Sequence, residues 1–228
     1  MDWKQFWENH GASTKALDQV GRVGGTMPQT ESFLKEYAGY IANTLQLTTD
    51  DVLLDVCCGN GILTSYLANY CKYTIGVDFS ETHIDYANQK YANSSLKFVC
   101  ADALQLDSLP LPFTITKATL CFSFQYFETV QNGLQVVNGI KQQRAQQLLL
   151  TDIPDRSRFF TYYHSIPKIL RLVKQMVLQK NNMGKFWGED ELAWITKQLG
   201  GKGKKIAQPP HFPYATYRMD YLIQDLYH

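Results

Sequence analysis

Long hydrophobic runs are missing from this 228-residue chain, and none approaches the eighteen apolar residues of a membrane-spanning helix. The opening MDWKQFWENH is polar and aromatic, unlike a signal peptide, so a cytoplasmic protein is expected. Cysteines number five (Cys57, Cys58, Cys71, Cys100 and Cys121), with no C-x-x-C spacing and no neighbouring histidine pair. That excludes a disulfide scaffold and gives no metal site; buried free thiols are expected instead. Excess charge is also missing, with 22 Lys and Arg against 21 Asp and Glu, a net +1. Such balance argues against strong non-specific binding to nucleic acid. No glycine-rich loop ends in Gly-Lys-Ser/Thr, so a phosphate-cradling P-loop is excluded. Repeats and low-complexity segments are absent too.

What is present centres on VLLDVCCGNGILT, residues 52–64. Val52, Leu53 and Leu54 form a strand-type apolar run that leads to Asp55. Gly59-Asn60-Gly61 then makes a bend that glycine permits through positive φ and close backbone approach. Ile62, Leu63, Tyr66, Leu67 and Tyr70 recur at helical spacing behind it. Strand, glycine bend and helix in that order are the first half of a nucleotide-binding βαβ unit. A dinucleotide fingerprint would place its third glycine at Thr64. The stretch instead resembles the first motif of class I S-adenosylmethionine-dependent methyltransferases, D-x-G-x-G-x-G, through Asp55, Cys57, Gly59 and Gly61, with Cys57 in place of the first glycine.

The following units extend the pattern. YTIGVD, residues 73–78, reads as a second strand ending in Asp78, placed to accept hydrogen bonds from two ribose hydroxyls. Ser80 caps a helix over 81–91. LKFVC, residues 96–100, is a third strand running into Ala101, Asp102 and Ala103. The resemblance assigns Asp78 to ribose and Asp102 to the adenine amino group, with a backbone N–H near Ala103 for a ring nitrogen. Phe79 would lie along the adenine. Cys58, Asn60 and Ser80 join the cofactor-binding set, and Arg22, whose fork matches a carboxylate, is the candidate for the methionine carboxylate. A fourth strand over 115–121 leads into Phe122-Ser123-Phe124-Gln125-Tyr126-Phe127, of which Phe122 and Gln125 are assigned to the cofactor. A helix over 128–144 and a fifth strand, LLLTD at 148–152, follow.

The resemblance implies a Rossmann-like α/β fold with a mainly parallel seven-stranded sheet and an antiparallel last strand, all in one domain. Residues 1–46 would form an N-terminal helical cap containing a helix over 31–46. Residues 47–155 would form the cofactor-binding core, 156–188 a helical lid insertion, and 189–228 a C-terminal helix and strand hairpin. The pairing of VCCGNG with DIPD and a late YRMDYLI is similar to a bacterial small-molecule subgroup. The expected cofactor is S-adenosylmethionine, leaving S-adenosylhomocysteine after methyl transfer. The general-base candidates are Tyr126, Asp152, His164 and His211.

Residues 156–228 carry 12 basic against 5 acidic residues, so the acceptor is expected to be a small or medium-sized molecule with an anionic group. No Asn/Asp-Pro-Pro-Tyr/Phe motif is present, which counts against a base-flipping role. Ile166, Ile169, Leu170, Val173 and Val177 form a helical stripe among Lys168, Arg171 and Lys174; a lid is the first reading and contact with an anionic membrane surface the second. Two other functional classes stay open: a nicotinamide-dependent oxidoreductase and a non-catalytic S-adenosylmethionine-binding module.

Overall fold

Seven strands make one sheet: β1 (Val52–Val56), β2 (Tyr73–Asp78), β3 (Leu96–Cys100), β4 (Lys117–Cys121), β5 (Gln147–Pro154), β6 (Lys202–Ile206) and β7 (Arg218–Gln224). The computed structural model describes residues 6–8, 15–20, 30–177 and 183–227, and Arg22 lies outside them. Spatial order is β3-β2-β1-β4-β5-β7-β6. Strands β1 to β5 pair in parallel, whereas β7 runs antiparallel to both β5 and β6. The order reverses between β1 and β4, where an open α/β sheet leaves a crevice at its carboxyl edge.

Among the described residues, six α-helices of six or more residues accompany the sheet: α1 (Glu31–Leu45), α2 (Ile62–Leu67), α3 (Glu81–Tyr91), α4 (Val130–Gln142), α5 (Ile166–Val177) and α6 (Glu189–Gln198). Caps explain several starts. The Thr30 hydroxyl accepts from Phe33 N at 3.2 Å, and the Ser80 hydroxyl accepts from His83 N at 3.3 Å.

Alternation along the strands sorts their side chains onto two faces. In β1, Leu54 and Val56 join a core with Val136, Val137 and Ile140 of α4 and Leu192 and Ile195 of α6. Leu53 points the other way, into a core with Tyr37, Ile41 and Leu45 of α1 and Leu63 and Leu67 of α2. In β5, Leu149 separates from Leu148 and Leu150 in the same manner.

The elements fall where the apolar patterns place them, with shifted ends. α2 stops at Leu67 and tightens into a 3₁₀ turn over Ala68–Tyr70. β5 runs on to Pro154 because its ladder with β7 resumes at Ile153 after a register shift beyond Leu150. The expectation of buried thiols holds for Cys121 alone: Cys57, Cys58 and Cys71 are half-buried and Cys100 is exposed.

Candidate active site

A cavity of about 760 Å³ opens at the carboxyl ends of the central strands. Its floor is the bend after β1, where Cys57 (φ +59°), Gly59 (φ +56°) and Gly61 (φ +76°) all take left-handed backbone. Cys57 adopts the conformation that a first-motif glycine would adopt, although it carries a side chain. Gly61 has no room for one: an added Cβ would lie 2.6 Å from Phe98 Cε1 and 2.9 Å from Ala87 Cβ.

Asp78 ties this bend to β2. Its Oδ2 accepts from Gly59 N at 2.9 Å and its Oδ1 from Ser80 N at 3.0 Å. Burial raises the Asp78 pKa, and those two N–H bonds oppose the shift. Asp102 lines the same cavity, with Oδ1 accepting from Leu104 N at 2.9 Å. Phe79, Ala101 and Ala103 complete this wall. The residues present suit a nucleoside, since both carboxylates keep acceptor capacity beyond the backbone bonds they already make. The volume also lies within the usual range for ligand sites.

Asp55 is placed differently from the expectation. It is 2% exposed, accepts from Thr64 Oγ1 at 2.6 Å, and borders a separate space of about 30 Å³ behind the bend. Burial pushes its pKa up to about 7, the Thr64 bond opposes, and nearby Asp78 adds to the rise. Thr64 is thus a hydrogen-bond donor beneath the loop rather than a replaced packing glycine. Asn60 is fully buried and clamps the N-terminal turn Ala16–Gln19, donating to Ala16 O at 2.8 Å and Gln19 Oε1 at 2.7 Å. Ser80 is the α3 cap. Burial and the neighbouring carboxylates hold Cys57 and Cys58 as thiols, which are poor nucleophiles.

The opposite end of the cavity lies over β4 and β5. Phe122 (φ +62°), just after β4, and Asp152 (φ +60°), at the register shift within β5, repeat the left-handed turn of Cys57, and all three line the cavity. Non-glycine residues held this way cost about 1–3 kcal/mol each and concentrate at functional sites. The Gln125 side chain donates to Phe122 O at 2.6 Å, which braces that turn. Arg218 Nη1 meets Asp152 Oδ2 at 2.9 Å, both side chains being almost buried. Behind them Asp220 accepts from Asp152 N at 2.8 Å, Gln208 Nε2 at 2.8 Å and the Tyr40 hydroxyl at 2.7 Å. Burial raises the Asp220 pKa to about 6.

Tyr126 lines the cavity with Asp152 and meets the Trp7 ring edge-on at 5.8 Å. His164 and His211 do not line it. His164 is exposed, its ring nitrogen 2.9 Å from Thr161 O, and His211 pairs with Glu36 at 2.6 Å on the surface. Sequence reasoning missed Arg218, Tyr214 and Tyr217, which line the cavity, the two tyrosine rings 5.5 Å from the guanidinium. The available signal was an arginine at the head of an alternating strand.

A parallel sheet with one reversed strand and a cavity across its switch point defines a Rossmann-like class I methyltransferase fold. Residues 54–144 match the family described as a methyltransferase domain. Its fold is that of the class I S-adenosylmethionine-dependent methyltransferases, and the matched stretch holds the bend, Asp55, Asp78 and Asp102. An uncharacterised methyltransferase of Schizosaccharomyces pombe is 33% identical over 31% of this chain and 30% of its own length. The chain thus spans about a third of the length of the curated relatives it matches. Among solved structures, the N-methyltransferase NodS of Bradyrhizobium japonicum, in complex with S-adenosylhomocysteine, superposes with a TM-score of 0.64 at 14% identity, covering 97% of both chains. The magnesium protoporphyrin IX methyltransferase of Synechocystis, with bound S-adenosylhomocysteine, gives 0.62 at 15% identity over 97% of this chain and 99% of that one.

Proposed function

We propose that the protein transfers a methyl group from S-adenosylmethionine to a small or medium-sized acceptor carrying an anionic group. One observation carries the reading: Asp78 and Asp102 face a single cavity floored by the bend at Gly59, and that cavity continues to Asp152 and Arg218. In this assignment Asp78 receives the ribose hydroxyls, Asp102 the adenine amino group, and Phe79 the adenine face. The cofactor, when bound, supplies a methyl group on a sulfonium whose thioether leaving group needs no further activation.

The chain's own residues align and desolvate. Alignment of reacting atoms and exclusion of water supply much of the rate in such transfers. A general base would add about 10²–10⁴-fold. Tyr126 and Asp152 are the base candidates inside the cavity, and Asp152 is committed to Arg218. The anionic character of the acceptor rests on Arg218, the sole guanidinium or ammonium group lining the cavity among the described residues. A guanidinium has five N–H donors, so an acceptor carboxylate can share it with Asp152.

Calorimetry with S-adenosylmethionine and S-adenosylhomocysteine, followed by a methyl-transfer screen of carboxylated and phosphorylated acceptors, tests the reading. Binding of both cofactor forms and turnover with an anionic acceptor are expected. Absence of heat with either, together with a melting shift on adding NAD(H), would overturn it in favour of an oxidoreductase. Cofactor binding with no turnover of any acceptor would leave a binding module.

A further inference from the structure

Residues 156–188 contain seven Lys and Arg and no Asp or Glu. Within this segment α5 presents Ile166, Ile169, Leu170 and Val173 at 74, 46, 63 and 50% exposure, and Phe160 just before it is 82% exposed. Five of the eight large apolar side chains exposed among the described residues therefore lie here. Helical periodicity gathers the four α5 residues into an arc of about 100° and sets the exposed Lys174 at its border. A lid lying on the cavity would bury that stripe against the protein; here it faces outward. Lys168 is half-buried, its ammonium 4.5 Å from the Tyr162 ring. Tyr162 before the helix and Met183 after it both line the cavity.

We propose that α5 and Phe160 form a docking surface for an anionic lipid bilayer, bringing the cavity mouth to the lipid surface. The chemistry of the segment selects this occupant. An apolar stripe with Lys174 at its border, in a segment without a carboxylate, matches the acyl boundary and the negative headgroups of such a surface. Twelve residues are too short to cross a bilayer, and no described helix is long and apolar enough to do so, which leaves the helix in the interfacial plane. A second copy of this chain meeting the same face would oppose one basic border to another.

The test is flotation of the full chain with phosphatidylcholine vesicles, with or without phosphatidylglycerol. Binding to the anionic vesicles is expected, weakening as salt rises. The triple substitution Ile166→Ser, Leu170→Ser and Val173→Ser should reduce it at least about tenfold, as should the charge reversal Lys174→Glu. These side chains are exposed, so an unchanged melting temperature and unchanged S-adenosylhomocysteine affinity serve as folding controls. Equal binding to neutral vesicles, no binding to either, or binding insensitive to both substitutions would overturn the proposal. So would light scattering that shows a dimer dissolved by the serine triple variant.

Discussion

Asp152 and Arg218 meet at 2.9 Å across the β5–β7 junction, where the strand register shifts and Asp152 turns through φ +60°. The pair joins two distant segments at the wall of the cavity and holds a strained position within β5 in place. Because both side chains are nearly buried, either partner alone would be an uncompensated charge. Arg218→Met should therefore destabilise the fold by about 3–5 kcal/mol, read from urea midpoints. Adding Asp152→Leu to that variant should recover a substantial part. Should the single variant cost under about 1 kcal/mol, the pair is not holding the junction.

Asp78 has two duties, holding the bend through Gly59 N and, in the proposed assignment, receiving the ribose. Asp78→Ala should lower S-adenosylhomocysteine affinity by about 10- to 100-fold by calorimetry, the range for losing hydrogen bonds to a charged group. Asp102→Ala, on an exposed loop and with its carboxylate bonded only to Leu104 N among the described groups, should cost about tenfold with little change in melting temperature. Wild-type affinity in both variants would remove the nucleoside from this wall.

Strand positions were legible because parallel strands buried on both faces must be apolar, as YTIGVD and LLLTD are. Asp78 and Asp102 were legible because each closes or follows such a run. Asp55 was not, although the period of two contained the answer: it shares a face with Leu53, which packs against α1 and α2, so its carboxyl turns toward Thr64 of α2. Arg218 was hidden by distance, since its partner lies 66 residues earlier and only the β5–β7 pairing brings the two together. The α5 stripe showed an amphipathic helix, but periodicity does not say which surface covers the apolar side.

The placement of Asp55 makes stability depend on pH. Its folded pKa is about 7 against about 3.9 for an unfolded aspartate, so folding favours the protonated form. Stability from this group is fully present below pH about 4, declines between, and is lost as pH rises through 7. The ceiling on that loss is on the order of 4 kcal/mol. Asp220, raised to about 6, adds a decline of the same sign ending about a unit lower. Asp55→Asn should flatten the stability profile between pH 5 and about 7.5, leaving the Asp220 contribution. Identical slopes for wild type and variant in denaturant titrations would show that Asp55 is ionised in the fold throughout.

Gly61 and Gly200 separate two reasons for glycine. Their φ values are nearly equal, +76° and +78°, so left-handed backbone alone would penalise alanine similarly, by about 1–2 kcal/mol. Their surroundings differ: a Cβ at Gly200 would meet nothing within 4 Å, whereas one at Gly61 would press on Phe98 and Ala87, which pack with α3 and β3. Overpacking of that kind adds about 1–3 kcal/mol. Gly200→Ala should thus lose about 1–2 kcal/mol and leave cofactor affinity unchanged. Gly61→Ala should lose about 2–5 kcal/mol and weaken S-adenosylhomocysteine binding as well, because the bend it displaces carries Gly59 N onto Asp78. Equal costs for the two substitutions would mean that α3 and β3 yield freely, and that the bend is shaped by its backbone angles rather than by what it is packed against.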